Sequence, residues 1–145
     1  MNAAHVHLTL NHFPLILPLI ALILLIFGLL FKNDLVKRIA YGMMMASGIF
    51  TFLVMNSGEG AEEIVEEMGR SHDLIHEHEE TAETFSLLSY FSAVFAVVAF
   101  WLNWKKKPFA DITTFVSMIL CCILLYFSLQ TGNSGGKISH EEIME

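Results

Sequence analysis

The chain has 145 residues, is 54% hydrophobic and carries a formal net charge of −7. That is too apolar for an ordinary soluble domain, and the net acidic balance argues against a nucleic-acid partner. The two cysteines say little about redox compartment.

The apolar residues fall in four blocks. In chain order they are FPLILPLIALILLIFGLLF (13–31), IAYGMMMASGIFTFLVM (39–55), FSLLSYFSAVFAVVAFWLNW (85–104) and ITTFVSMILCCILLYFSL (112–129), and none contains Asp, Glu, Lys, Arg or His. Each is near the length that crosses roughly 30 Å of hydrocarbon as a helix. Lipid cannot satisfy an open backbone, so such spans must be helical. The expected fold is all-α: an integral membrane four-helix bundle, one domain over 1–145, with a helical cap formed by the loop 56–84. The first block has no basic segment before it and no small-residue cleavage site after it, which predicts a retained helix. Cys121 and Cys122 are adjacent in the fourth block and point about 100° apart, which suits packing.

Six of the eight Lys and Arg residues lie in the short connections 32–38 and 105–111. The positive-inside rule places both connections in the cytoplasm and both termini outside a bacterial inner membrane. All seven histidines and thirteen of the fifteen acids are then outside. The basic face suits anionic lipid.

The exits of the second and fourth spans look alike. In an ungapped alignment at an offset of 74 residues, Ser57 meets Thr131, Gly58 meets Gly132, Ile64 meets Ile138 and Glu66 meets His140. Two related hairpins, meeting at one central mouth, would produce that pattern.

Four stretches carry the candidate chemistry. In HVHLTLNHFPL, His12 precedes Pro14, and proline suits a first helical turn, so Asn11 and His12 should sit at the start of the first span. His5 and His7 are expected in a loose terminus. In GEGAEEIVEEMG, Glu59, Glu62, Glu63 and Glu66 share one face of a short helix, which is a solvated stripe unless something positive sits there. In SHDLIHEHEETAETF, Ser71 is a good N-cap. Helical spacing then separates a wet stripe (His72, His76, Glu79, Glu83) from a mostly apolar one (Leu74, Ile75, His78, Ala82), which should carry His78 inward. In GGKISHEEI, a turn at the Gly pair would let His140 fold back over the mouth.

These motifs resemble a family of uncharacterised four-helix bacterial membrane proteins. That family is related to the domain-of-unknown-function group whose first helix begins with a His-Phe-Pro motif. HLTLNHFPL, GEGAEEIVEE, LIHEHEETA and GGKISHEEI carry the resemblance in order along nearly the whole chain. It implies importance for Asn11, His12, Glu62, Glu63, His78, Glu79 and His140, but no activity. MGRSHD departs from the family pattern, which commonly has a proline there.

The leading expectation is a metal site at the outer mouth, with His12, Glu62, Glu66, His78 and His140 as ligands and Asn11, Glu63 and Glu79 as their hydrogen-bond partners. Imidazole and carboxylate together suit zinc, iron or manganese, and three imidazoles also suit copper; with an open position, such a centre could be redox-active or catalytic. The ferritin-like Glu-x-x-His pair is absent. The alternatives are a b-type haem held by His12 and His78, and an accessory subunit of a homo-oligomer or larger membrane complex. Transport is disfavoured, because no ionisable residue lies within the spans.

Overall fold

The computed structural model describes residues 3–139, and among them it contains helices and no strand. The helices are α1 (Ala3–Leu10), α2 (Phe13–Leu30), α3 (Asp34–Glu67), α4 (His72–Trp104) and α5 (Ala110–Ser139). α2 to α5 form an antiparallel bundle in which each packs on the next and α2 closes against α5; α1 lies on α3. Four helical stretches are long and apolar enough to cross a membrane: Ala4–Leu30, Asp34–Glu67, His72–Trp104 and Ala110–Ile138.

Three helix ends close in the same way. After α2, Asn33 N–H reaches the Gly28 carbonyl (2.9 Å); after α3, Arg70 N–H reaches Val65 (3.2 Å); after α4, Lys107 N–H reaches Leu102 (2.9 Å). These are Schellman closures, and each needs one residue in the left-handed region. Gly69 supplies it at φ +78°, but Lys32 and Lys106 supply it at +50° and +48°. A lysine there pays steric strain and gains from the negative end of the helix dipole. α3 then restarts on Asn33, whose side chain accepts from the backbone N–H groups of Leu35 and Val36.

The extra length of the helices sits at one end. α3 has 34 residues and α4 has 33, about 50 Å each at 1.5 Å per residue, well beyond the hydrocarbon thickness. The apolar blocks 39–55, 85–104 and 112–129 lie toward the two short turns. The surplus, 56–67, 72–84 and 130–139, projects past the other end with α1 beside it. The acidic stretch 56–67 is thus the last three turns of α3, not a separate short helix. Gly135 and Gly136 lie inside α5, not in a turn, because one helix-weakening residue pair costs less than α5 gains by packing along α4.

Small side chains set the core. Ala21, Leu25, Ala40, Tyr41, Met44, Ala96, Ala99 and Cys121 are buried together. A Cβ on Gly48 would stand 2.6 Å from that of Ala93, so α3 and α4 approach closely there. Buried hydroxyls cross between helices, as in Thr51 to Ser89 (2.8 Å) and Tyr41 to Thr114 (2.7 Å). Pro18 cannot donate to the Pro14 carbonyl one turn earlier, and the Ser47 hydroxyl donates to that carbonyl instead. The large apolar side chains, including Ile23, Phe52, Phe91, Val94 and Phe115, face outward.

Lys37 differs from the expectation of a loop residue. It lies inside α3, is 4% exposed, and its ammonium donates to Asp111 at 2.8 Å, with Asp34 at 3.7 Å. The connection expected at 32–38 shrinks to residues 31–33 because Asn33 caps α3 so early.

Candidate functional site at the mouth of the bundle

The projecting ends of α1, α3, α4 and α5 bring two imidazoles into matching positions. His7, on α1, turns its Nδ1 to the Val54 carbonyl (3.2 Å) and the Ser57 hydroxyl (3.3 Å) of α3. His78, on α4, turns its Nδ1 to the Ser134 hydroxyl of α5 (3.0 Å) and also engages the Thr131 backbone. Each serine donates one turn back, Ser57 to Val54 (2.9 Å) and Ser134 to Thr131 (3.0 Å). Each is followed by a glycine that faces the ring: Gly58 toward His7, Gly135 toward His78.

This arrangement favours one tautomer. A carbonyl only accepts, and a serine hydroxyl that has donated to a carbonyl accepts next. On His7 the Val54 carbonyl requires the proton on Nδ1, which leaves the lone pair on Nε2, and the Thr131 backbone favours the same tautomer on His78. Burial lowers the pKa of His7, and the Val54 carbonyl opposes it in part. Burial lowers His78 as well, and the charge of the nearby His7 pushes it further down; the Thr131 backbone and Glu79 oppose. Both shifts favour the neutral ring, the state in which imidazole binds metal. Thr81 completes the surroundings of His78, with its hydroxyl 3.0 Å from that of Ser134.

Carboxylates lie beside this pair. Glu62 of α3 shares a hydrogen bond with Glu79 of α4, which, with burial and the charges of Glu79 and Glu66, holds Glu62 above the usual carboxyl range. Glu79 in turn acts on His78. Further out, His72 lies 3.9 Å from Glu66, and His76 lies 3.7 and 3.6 Å from Glu79 and Glu80. Lys137 bonds Glu77 at 2.8 Å and ties α5 to α4.

The expected site residues are distributed as follows. His78 is half-buried on the inward stripe, next to buried Ile75, while His72, His76, Glu79 and Glu83 are exposed. His12 is exposed at the junction of α1 and α2 and makes no side-chain cap bond. Asn11 turns inward, and its Oδ1 is buried without a hydrogen-bond partner among the described residues. Glu63 is exposed. His140 lies outside the described residues. Among the described residues, no three or more of His, Cys, Asp and Glu come together as a ready metal site.

His7 is the residue that the sequence reading missed. The terminus is a helix, not a loose tail, because α1 packs on α3. A signal for it was present: the tripeptide Asn-Ser-Gly occurs twice, at 56–58 and 133–135. These two tripeptides are 77 residues apart, and that spacing aligns the two turns that face the histidines. Comparison with family models, curated proteins and solved structures found no match.

Proposed function

We propose that this chain is a multi-pass protein of the bacterial cytoplasmic membrane that carries a transition-metal centre at its outer mouth, with His7 and His78 as the imidazole ligands. The supporting observation is the matched setting of the two rings. Metal-bound histidines donate their second ring N–H to a carbonyl or similar acceptor, which fixes the ring and makes the ligating nitrogen more basic. Both rings here have that second bond, and burial favours the neutral form of each. Of the residues named from the sequence, Glu62, Glu66 and Glu79 supply negative charge around the centre, and His140 is the remaining candidate for a third imidazole. His12 yields its place to His7. The chemistry suits zinc, iron or copper.

Two equivalent axial histidines are also what a b-type haem takes, since the porphyrin supplies the other four donors. The near-symmetry of His7 and His78 favours this as the second reading. The surrounding carboxylates favour the bare ion.

Sidedness follows from the charges. Six of the eight Lys and Arg residues lie at the short-turn end, which therefore faces the cytoplasm. The two Asn-Ser-Gly turns support descent from a duplicated hairpin.

The test uses protein purified without a histidine tag. A Soret band identifies haem. Without one, adding zinc, iron(II) or copper to chelator-stripped protein should raise Tm, because a ligand bound only by the folded state stabilises it. No Soret band, together with no gain from any of the three ions, would overturn the proposal.

A further inference from the structure

At the opposite end of the bundle, a groove of about 310 Å³ opens outward between α3 and α4, lined by Leu35, Arg38, Ile39, Phe100 and Trp104. Its apolar walls are open: Leu35 is 63% exposed and Trp104 60%. Phe100 and Trp104 pack edge to face with centroids 5.5 Å apart, and together they form a firm aromatic wall.

Arg38 is the one charged residue in that lining, and its surroundings are built. Its Nε donates to the side-chain amide oxygen (Oδ1) of Asn103 at 2.9 Å. Asn103 is 2% exposed and is itself fixed by donating to Asp34 at 3.2 Å. The acids at this end are engaged elsewhere, since Lys37 holds Asp111 at 2.8 Å and stands 3.7 Å from Asp34. Arg38 is therefore oriented by a neutral amide and not by a carboxylate. Around it, five further cations (Lys32, Lys37, Lys105, Lys106 and Lys107) stand against two carboxylates, Asp34 and Asp111. A guanidinium with an excess of positive charge around it, set beside an apolar groove, matches a particular chemistry. The phosphate of an anionic lipid pairs with the guanidinium fork, and its acyl chain covers the walls. Basic pockets between membrane helices bind such headgroups.

We propose that this groove is a specific site for an anionic phospholipid, with Arg38 binding the phosphodiester and Leu35, Ile39, Phe100 and Trp104 holding an acyl chain. Inorganic phosphate would meet the same guanidinium but leave the walls uncovered, so the full lipid is the better occupant. The site does not depend on the histidine pair or on the direction in which the protein is inserted.

The test follows lipid retention by native mass spectrometry of the full chain in a zwitterionic detergent, with Tm measured alongside. The wild-type chain should retain phosphatidylglycerol over phosphatidylcholine and gain several degrees of Tm from it, while glycerol phosphate gives no gain. Arg38→Gln should weaken phosphatidylglycerol retention by roughly tenfold. Ile39→Trp, which fills the groove and leaves the Arg38–Asn103 bond in place, should also abolish preferential retention, so the result does not rest on one variant. Lys106→Gln, an exposed charge outside the lining, should change retention less than about twofold. Wild-type retention in both Arg38→Gln and Ile39→Trp would overturn the site. Equal losses in Lys106→Gln and Arg38→Gln would replace it with diffuse surface charge, and a Tm gain from glycerol phosphate as large as that from the lipid would make it a phosphate site.

Discussion

His7 and His78 are held in the same way by two different helices. Each presents Nδ1 to a helical turn of the form carbonyl, two residues, serine, glycine: Val54 to Gly58 for His7, and Thr131 to Gly135 for His78. The serine and the carbonyl favour the proton on Nδ1. At His78 the glycine also decides how closely the ring may lie against the helix.

The two glycines should respond differently to substitution. A Cβ on Gly135 would lie 3.0 Å from His78 Cε1 and 3.3 Å from its Nδ1, closer than the ring tolerates without moving. A Cβ on Gly58 would meet His7 only at 3.8 Å. Gly135→Ala should therefore displace His78 and lower metal affinity by about 10-fold to 100-fold, the range for lost outer support of a ligand. Gly58→Ala should stay near wild type, as should Gly132→Ala, which meets nothing within 4 Å. Isothermal titration of chelator-stripped protein checks the ranking. Equal affinities in all three variants would show that the ring position does not matter.

The same imidazoles predict a pH dependence for the metal-free protein. Both have folded pKa values below the ordinary histidine value, so the unfolded chain takes up protons first as pH falls through about 6.5. Stability should be flat above that point, decline below it, and level off once the folded pKa values are passed. Glu62 acts in the opposite sense, because its folded pKa is raised. It binds a proton more readily when folded, so its contribution improves with acid, nearer the carboxyl range. Thermal unfolding in detergent between pH 7.5 and 5.5 should show the decline, and a His7→Gln, His78→Gln double variant should lose most of it. An unchanged slope in the double variant would assign the effect to other groups.

At the other end, Lys37 packs its stem against Gly28. A Cβ on Gly28 would stand 2.7 Å from Lys37 Cγ, 3.1 Å from the Lys37 backbone nitrogen and 3.3 Å from the Asn33 carbonyl oxygen. Two of these neighbours are backbone, so Gly28→Ala should destabilise by about 1–3 kcal/mol through overpacking. Lys37→Met keeps the stem and loses the ion pair. Asp111 is 76% exposed at its side chain and can return to water, so the loss should stay near 1 kcal/mol, below the cost of breaking a fully buried pair. Thermal unfolding decides the order, and a larger loss in Lys37→Met than in Gly28→Ala would reverse this account.

Topology offers a separate check. A reporter that is active only in the cytoplasm, fused after Glu145, should be silent, while the same reporter fused within 105–109 should be active. The opposite pattern would put the mouth in the cytoplasm.

The four apolar blocks read directly as helices, since each is long and free of charge, and the period of 3.6 placed His78 on the inward face of α4. The continuity of α3 through its acidic end was not legible, because a like-charged run between apolar blocks has the composition of a solvated loop. What sustains the helix is packing against α1 and the start of α4, and α1 lies some fifty residues away in the chain. His7 stayed hidden for the same reason: nothing in MNAAHVHLTL marks it as buried until α3 lies beside it. Lys37 is five residues beyond Lys32 and looks like another loop cation, yet the N-cap at Asn33 rotates it into the bundle.

The most direct test of the central claim is the metal or haem content per chain of untagged protein, measured for wild type, His7→Ala, His78→Ala and His12→Ala under identical purification. The account predicts that His7→Ala and His78→Ala each lose most of the bound metal or haem, to a similar extent, since removing one ligand of a small set undoes the site, and that His12→Ala retains it. Retention in His7→Ala together with loss in His12→Ala would contradict it.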